Sequence, residues 1–137
     1  MVALSRSDTP ANCSFEDIEG TWTILETARL GDSSIDCDTI DEDNDIVYRK
    51  EFTLSFPNTA VDELGNTGTW TLIYNQGFEV NINERSYFAF SYYTGNFVVS
   101  VSYCDQVFNA WSRDRTVRNW SCFTATKNTP VSIYAFK

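Results

Sequence analysis

Short stretches in which apolar and polar residues alternate are the feature that most constrains the fold of this chain. The period of two is clearest at residues 78–82, and it recurs in residues 20–26, 52–56 and 70–74. Alternation of this kind predicts half-buried β-strands. The β-branched and aromatic residues that fill these stretches are the ones that strands favour.

Segments rich in glycine and asparagine separate these stretches and predict the turns. They include residues 64–68, residues 75–77 and the pair Gly95-Asn96. Further strands are predicted at residues 87–93, 97–103, 108–112, 120–126 and 131–136. Only residues 14–17 indicate a helical turn, through a capping-box pattern. In a chain of 137 residues, hairpin after hairpin predicts one all-β domain, an antiparallel up-and-down β-barrel of about eight strands.

Composition argues against several classes of function. The chain has no histidine, which excludes a self-contained Ser/His/Asp or Cys/His hydrolase and a histidine-bearing zinc site. Its net charge of −9 repels phosphate backbones, so we expect no nucleic-acid partner. No stretch approaches the roughly 18 apolar residues of a membrane span, so we expect no membrane partner. We expect no metal and no cofactor in this chain.

Four cysteines, Cys13, Cys37, Cys104 and Cys122, are widely spaced. An even number at such spacing predicts two structural disulfides in an oxidising compartment, although spacing alone leaves three pairings open. Sequons at Asn12 and Asn119 are candidate N-glycosylation sites and point to the same secretory route.

The acidic segment, residues 32–45, carries seven aspartates and glutamates. The aspartates from Asp41 to Asp45 have the 1-3-5 spacing of a calcium loop. Positions six and twelve of such a loop hold Ile46 and Phe52, where the EF-hand requires Gly and Glu. A solvated acidic loop tethered by its cysteine is therefore the better interpretation.

Two other patterns leave alternatives open. Arg113, Arg115 and Arg118 form a basic cluster that suits an acidic partner, ion pairs within the chain or a solvated face. Residues 87–93 carry aromatic side chains at positions of both faces, which indicates either an interface or a strand buried on both sides. The sequence does not fix the distance between any two carboxylates, so it gives no specific support for a catalytic pair of the glycosidase type.

A set of short motifs, spread from residue 8 to about residue 126, provides the most specific signal. They are residues 8–13, 20–22, 62–68, 73–79, 88–90, 103–104 and 118–124. Together they resemble the exclusion domain of cathepsin C, the family also called dipeptidyl peptidase I. All four cysteines coincide with cysteines of that family.

This resemblance implies that residues 8–137 form one exclusion domain with disulfides Cys13–Cys104 and Cys37–Cys122. Such a domain is not an enzyme on its own. It lies across the cleft of a papain-like cysteine protease and blocks it beyond the second substrate residue. The catalytic Cys and His, and a bound chloride, would belong to the papain-like heavy and light chains.

The resemblance also assigns the site residues. Asp8 would bind the free amine of the N-terminus of a peptide substrate. The cleft-blocking hairpin would contain Tyr92, Tyr93, Thr94, Gly95, Asn96 and Phe97. The family is lysosomal, and its mammalian members form homotetramers. Asp105 stands here where those members carry a sequon after the cysteine.

Residues 1–7 precede the matching region and are too short for a signal peptide. We interpret them as a leader remnant or an expression scar and expect cleavage before Asp8. Two alternatives stay open: a stand-alone barrel-type protease inhibitor and a lipocalin-like carrier of small ligands. Gly20-Thr21-Trp22 matches the Gly-x-Trp of the lipocalin first strand, and an eight-stranded barrel can enclose a ligand.

Overall fold

The computed structural model describes residues 9–128, in which one short helix precedes nine strands. The helix α1 spans Phe15–Ile18. The strands are β1 (Gly20–Thr27), β2 (Ile46–Ser55), β3 (Thr59–Asp62), β4 (Thr67–Ile73), β5 (Gly77–Ile82), β6 (Arg85–Gly95), β7 (Ser100–Val107), β8 (Ala110–Asp114) and β9 (Ser121–Lys127). Within residues 9–128, no helix has the length and apolar character needed to cross a membrane.

Eight of these strands close a barrel. Each strand from β1 to β6 pairs with the next one in the chain. β8 then pairs with β6, β9 pairs with β8, and β9 returns to β1. All of these pairings are antiparallel, and β7 extends the sheet as the partner of the outer part of β6. The predicted all-β, up-and-down antiparallel barrel is therefore confirmed.

Two apolar residues that were predicted to continue an inward-facing row point to solvent instead. Phe56 is 75% exposed because β2 ends one residue earlier, before the Phe56–Pro57 turn. Tyr74 is 88% exposed because it has left-handed backbone, φ 51°, in the turn between β4 and β5. In both cases the chain has left the strand before the alternation in the sequence ends.

Other strands differ from the prediction in existence or position. β3 was not anticipated, because its two buried positions hold Ala60 and Asp62, which give no strong apolar signal. β7 begins at Ser100, so residues 97–99 belong to a loop and not to a strand. The predicted strand at residues 131–136 lies outside the described residues.

Large side chains fill the interior of the barrel. Trp22, Phe52, Trp70 and Phe123 are each 1% exposed. The indole N–H of Trp22 donates to the carbonyl of Ile18 at 2.8 Å, so the buried indole keeps its hydrogen bond. These side chains occupy the space that a lipocalin-like carrier would need for its ligand.

The helix α1 packs onto this core and confirms the capping box. The side chain of Ser14 accepts the N–H of Asp17, and the carboxylate of Asp17 accepts the N–H of Ser14. Ile18, at the end of α1, is fully buried in the core cluster. The helix therefore covers apolar core residues directly before the chain enters β1.

A buried carboxylate that sequence reasoning did not single out organises another part of the interior. Glu26 points inward from β1 and has no exposed surface. Arg29 donates two hydrogen bonds to its carboxylate, each 3.0 Å long. The hydroxyls of Tyr87 and Ser121 donate two more. Glu26 continues the row of inward-facing residues that begins at Trp22, so the alternation did indicate burial. A charged side chain on a strand, however, usually indicates an exposed position.

Burial and mutual contacts shift the pKa values of Glu26, Tyr87 and Arg85. Burial raises the pKa of Glu26, but the hydrogen bonds from Arg29 and Ser121 outweigh it, so that the pKa lies below its ordinary value. Burial and the adjacent Glu26 carboxylate raise the pKa of Tyr87, which keeps its phenol protonated as a donor. Burial lowers the pKa of Arg85, which lies 3.5 Å from Glu26.

Asp62 organises the turn between β3 and β4. Its carboxylate accepts the backbone N–H groups of Leu64 and Asn66. It also accepts the side-chain amides of Asn66 and Asn83. Burial raises the pKa of Asp62, but these hydrogen bonds lower it to about 2. Asp62 thus holds the turn formed by the motif at residues 62–68 in shape.

Two disulfides join distant parts of the chain. Cys13 is bonded to Cys104, across 91 residues, and Cys37 to Cys122, across 85 residues. This pairing is the one implied by the resemblance, and the structure confirms it. The second bond ties the acidic segment to β9.

Candidate functional site

The hairpin formed by β6 and β7 extends beyond the strands that close the barrel. Residues 92–95 of β6 pair only with β7, in the register Tyr92↔Tyr103 to Gly95↔Ser100. Gly95 has a φ of +99°, a conformation that glycine adopts without strain. The hairpin thus carries the predicted cleft-blocking residues away from the barrel wall.

The tip of this hairpin, residues 96–99, is held in shape by one asparagine. The side-chain oxygen of Asn96 accepts the N–H groups of Val98 and Val99 at 2.9 and 3.0 Å. The N–H of Asn96 donates to the carbonyl of Val99 at 2.8 Å. The tip is therefore a defined turn.

The tip presents apolar side chains to solvent. Phe97 is 71% exposed, Val98 90% and Val99 70%. Contiguous exposed apolar residues of this kind mark a contact surface more often than an ordinary soluble surface. Of the predicted hairpin residues, Thr94 to Phe97 are exposed and Tyr92 and Tyr93 are half-buried.

Aromatic packing stiffens the base of the hairpin. The ring of Phe108 lies 4.9 Å from that of Tyr92 and 5.3 Å from that of Tyr93, measured between centroids. Tyr92 also contacts Tyr103 across the hairpin, at 5.6 Å. A tip mounted on such a base keeps its position relative to the barrel.

The N-terminal arm, residues 9–13, lies against this same hairpin. The Cys13–Cys104 disulfide bonds the arm to β7, and the N–H of Asn12 donates to the hydroxyl of Ser102 at 2.9 Å. Asp8, the residue predicted to bind the substrate amine, lies outside the described residues. The structure nevertheless places the next residue of the chain, Thr9.

The remaining outer face of β6 is neither free nor fully covered. Phe88 and Phe90 are half-buried and contact each other edge to face at 4.9 Å. Phe88 lines a groove together with Trp111 and Arg113. The half-burial of these rings argues against a strand buried on both sides, and the interface alternative stays a prediction.

The three arginines of the basic cluster take separate roles. Arg115 forms an exposed ion pair of 2.8 Å with Glu84. Arg113 lines the groove. The backbone N–H of Arg118 donates to Asp114 at 2.9 Å. Among the three, within the described residues, only the side chain of Arg115 forms an ion pair within the chain.

The acidic segment is a surface loop whose aspartates accept hydrogen bonds from their own neighbourhood. Asp41, for example, accepts the N–H of Asp43 and the side-chain amide of Asn44. Among residues 9–128, no three His, Cys, Asp or Glu side chains are grouped so as to hold a metal ion. The solvated-loop interpretation is thus the one that the geometry favours.

Both sequon asparagines are exposed. The side-chain oxygen of Asn12 accepts the side-chain amide of Asn75 at 3.1 Å. The side-chain amide of Asn119 donates to Asp114 at 2.6 Å. Glycosylation at either residue stays a prediction.

Comparison with known proteins agrees with this architecture. The family model of the cathepsin C exclusion domain matches residues 8–127. A protein named cathepsin C from Schistosoma mansoni is 36% identical over 116 residues, which are 84% of this chain and 23% of the relative. The chain thus spans about a quarter of the length of that curated relative. It belongs to the cathepsin C exclusion domain family.

Proposed function

We propose that this chain is the non-catalytic specificity domain of a lysosomal dipeptidyl peptidase I-like cysteine protease. In this role it blocks a papain-like cleft beyond the S2 subsite and restricts the enzyme to the removal of N-terminal dipeptides. The catalytic Cys and His and a bound chloride belong to papain-like heavy and light chains. We propose that the assembled enzyme is a homotetramer. It would follow the secretory route to the lysosome, an oxidising route in which the two disulfides can form.

One observation carries this proposal: the N-terminal arm and the exposed hairpin form a single unit. The Cys13–Cys104 bond and the 2.9 Å hydrogen bond from Asn12 to Ser102 hold the arm on β7. The root of the arm, at Asn12 and Cys13, and the apolar tip thus keep a fixed spatial relation. Blocking a cleft at a set distance from an amine-binding group requires that relation.

The apolar tip suits burial against another protein chain. Phe97, Val98 and Val99 gain about 25 cal/mol for each Å² of apolar surface that a partner covers. Since Asn96 already orders the turn, little conformational entropy is lost when the tip docks.

Asp8 supplies the chemistry of recognition in this proposal. A carboxylate and the α-ammonium group of a peptide form a charge-assisted hydrogen bond, which is stronger than a neutral one. An N-acylated peptide has no such charge. A carboxylate at this point therefore selects peptides with a free N-terminus and places the cleaved bond after the second residue.

The test uses the full-length protease that contains this domain. We expect Asp8→Asn to lower kcat/KM for a dipeptide fluorogen with a free amine by about 10- to 100-fold, the value of one hydrogen bond to a charged group. The N-acetylated twin of that substrate serves as the reference. Asp43→Asn, which neutralises an exposed aspartate of the acidic segment, is the matched control.

The outcomes separate the candidate functions. An Asp8→Asn enzyme that remains strictly specific for free amines would overturn the amine-binding role. The rate for the free-amine substrate is expected to decline above about pH 8, where the α-amino group loses its proton, and below about pH 4, where the aspartate gains one. Inhibition of a papain-like endopeptidase by the isolated chain, with no protease joined to it, would favour the inhibitor alternative.

A further inference from the structure

We propose that Gln76 is a positioning residue for the amine-binding group, and this inference rests on the proposed function of Asp8. The side-chain oxygen of Gln76 accepts the backbone N–H of Thr9 at 3.1 Å. Of the contacts described for the N-terminal arm, this one lies nearest to residue 8. Since a peptide group is planar, holding the Thr9 N–H restrains the peptide bond through which Asp8 is attached.

Gln76 is itself well fixed, which a positioning residue must be. Its N–H donates to the carbonyl of Ile73 at 2.8 Å, and its carbonyl accepts the N–H of Ser91 at 2.9 Å. Two residues with left-handed backbone, Tyr74 and Asn75, precede it in the turn. Both main-chain polar groups of Gln76 are thus engaged, and its side chain projects from a rigid base.

The turn between β4 and β5 also contacts the N-terminal arm at a second point, and this second contact serves as an internal control. The carbonyl of Asn75 accepts the N–H of Cys13 at 2.8 Å. That bond is between main-chain atoms, so it does not depend on the side chain of Gln76. The disulfide from Cys13 to Cys104 likewise involves no atom of Gln76. A substitution of Gln76 therefore releases the start of the arm and leaves its root attached.

The first experiment reads the contact directly. Hydrogen exchange of the Thr9 and Cys13 amides is compared between the wild-type chain and Gln76→Met, which keeps the length of the side chain and removes the acceptor. We expect faster exchange at Thr9 by about five- to tenfold, the loss of one neutral hydrogen bond, with Cys13 unchanged. Equal exchange at Thr9 in both proteins would overturn the inference.

The second experiment reads the consequence in the full-length protease. Gln76→Met is expected to lower kcat/KM for the free-amine dipeptide substrate by about five- to tenfold, and to leave the N-acetylated substrate unaffected. Gln76→Glu keeps an acceptor oxygen at the same reach and is expected to retain most of the activity. Gln106→Met, at an exposed glutamine of β7, is the matched control.

The two claims fail in different ways. If Asp8→Asn lowers kcat/KM for the free-amine substrate and Gln76→Met does not, the positioning role is wrong and the proposed function stands. If Asp8→Asn has no effect on this kcat/KM value, the proposed function is wrong, and the positioning role that rests on it falls with it. If Gln76→Met and Gln76→Glu lose activity for the free-amine substrate equally, the acceptor oxygen is not what matters and the positioning role is wrong.

Discussion

Replacing Arg29 with Met tests how strongly the buried ion pair stabilises the barrel. Arg29 donates two 3.0 Å hydrogen bonds to Glu26, whose carboxylate has no exposed surface. Met retains an apolar side chain of comparable reach but has neither the donors nor the charge. Glu26 would then keep the hydroxyls of Tyr87 and Ser121, together with Arg85 at 3.5 Å.

The magnitude follows from the burial of this pair. Hydrogen bonds to a charged group each contribute about 1.5–3 kcal/mol, and removing one partner of a buried ion pair costs about 3–5 kcal/mol. Because Glu26 keeps other partners, we expect the lower end, about 3 kcal/mol of unfolding free energy. This is roughly a hundredfold change in the unfolding equilibrium and about 10 °C in the melting temperature of a domain of this size.

Urea unfolding at neutral pH with the disulfides intact measures this change. Arg115→Met is the matched control, because Arg115 and Glu84 lie 2.8 Å apart with side chains that are 72% and 75% exposed. An exposed pair contributes about 0–1 kcal/mol. Equal losses in the two variants, or a loss below about 1 kcal/mol for Arg29→Met, would refute the argument that burial decides the strength of the pair.

The dependence on pH gives an independent check. The pKa of Glu26 is lower in the folded chain than its ordinary value. Its stabilisation is therefore present above the unfolded pKa of about 4.3 and is lost as the pH falls through the folded value. The gap in stability between wild type and Arg29→Met is expected to narrow below about pH 4. A gap that widens on acidification contradicts this reasoning.

Three further predictions concern the turns and the surface. In Gly77→Ala the added methyl meets the carbonyl oxygen of Ala89, so thermal unfolding should show a loss of about 1–3 kcal/mol; an unchanged melting temperature would contradict this. Asp62, with its pKa of about 2, contributes stability that is lost as pH falls from about 4 toward 2; urea titrations should show a weaker acid dependence in Asp62→Asn, and an unchanged dependence would count against it. Asn119→Gln, secreted from eukaryotic cells, should migrate like wild type from which one N-glycan has been removed, and identical migration of the untreated proteins would show that the site is unused.

The sequence predicted the strands that carry alternating apolar residues but not the polar groups inside the barrel. β5 is an example of success, since its bounds match the predicted residues 78–82 to within one residue. Glu26 was missed, because charge on a strand usually indicates an exposed face. Its burial depends on Arg29 and Tyr87, and the latter is 61 residues away. No local pattern records such a pairing.

The candidate site divides in the same way. Its hairpin and cysteines were predicted from residues 87–104 and from the family resemblance, and the observed disulfides agree with it. The contact between Gln76 and Thr9 joins residues 67 positions apart, and neither residue type indicates it. Asp8 lies outside the described residues, so its role still rests on the resemblance.

By itself, the sequence predicted the all-β class, a barrel of about eight strands and the formation of two disulfides, because alternation, turn residues and cysteine count are local or additive properties. The tertiary structure decided how the barrel closes from β9 to β1, which charges are buried, and which part of the surface the N-terminal arm contacts. Those outcomes depend on contacts between residues far apart in the chain. Their free energies arise from desolvation and geometry that exist only once the strands are assembled.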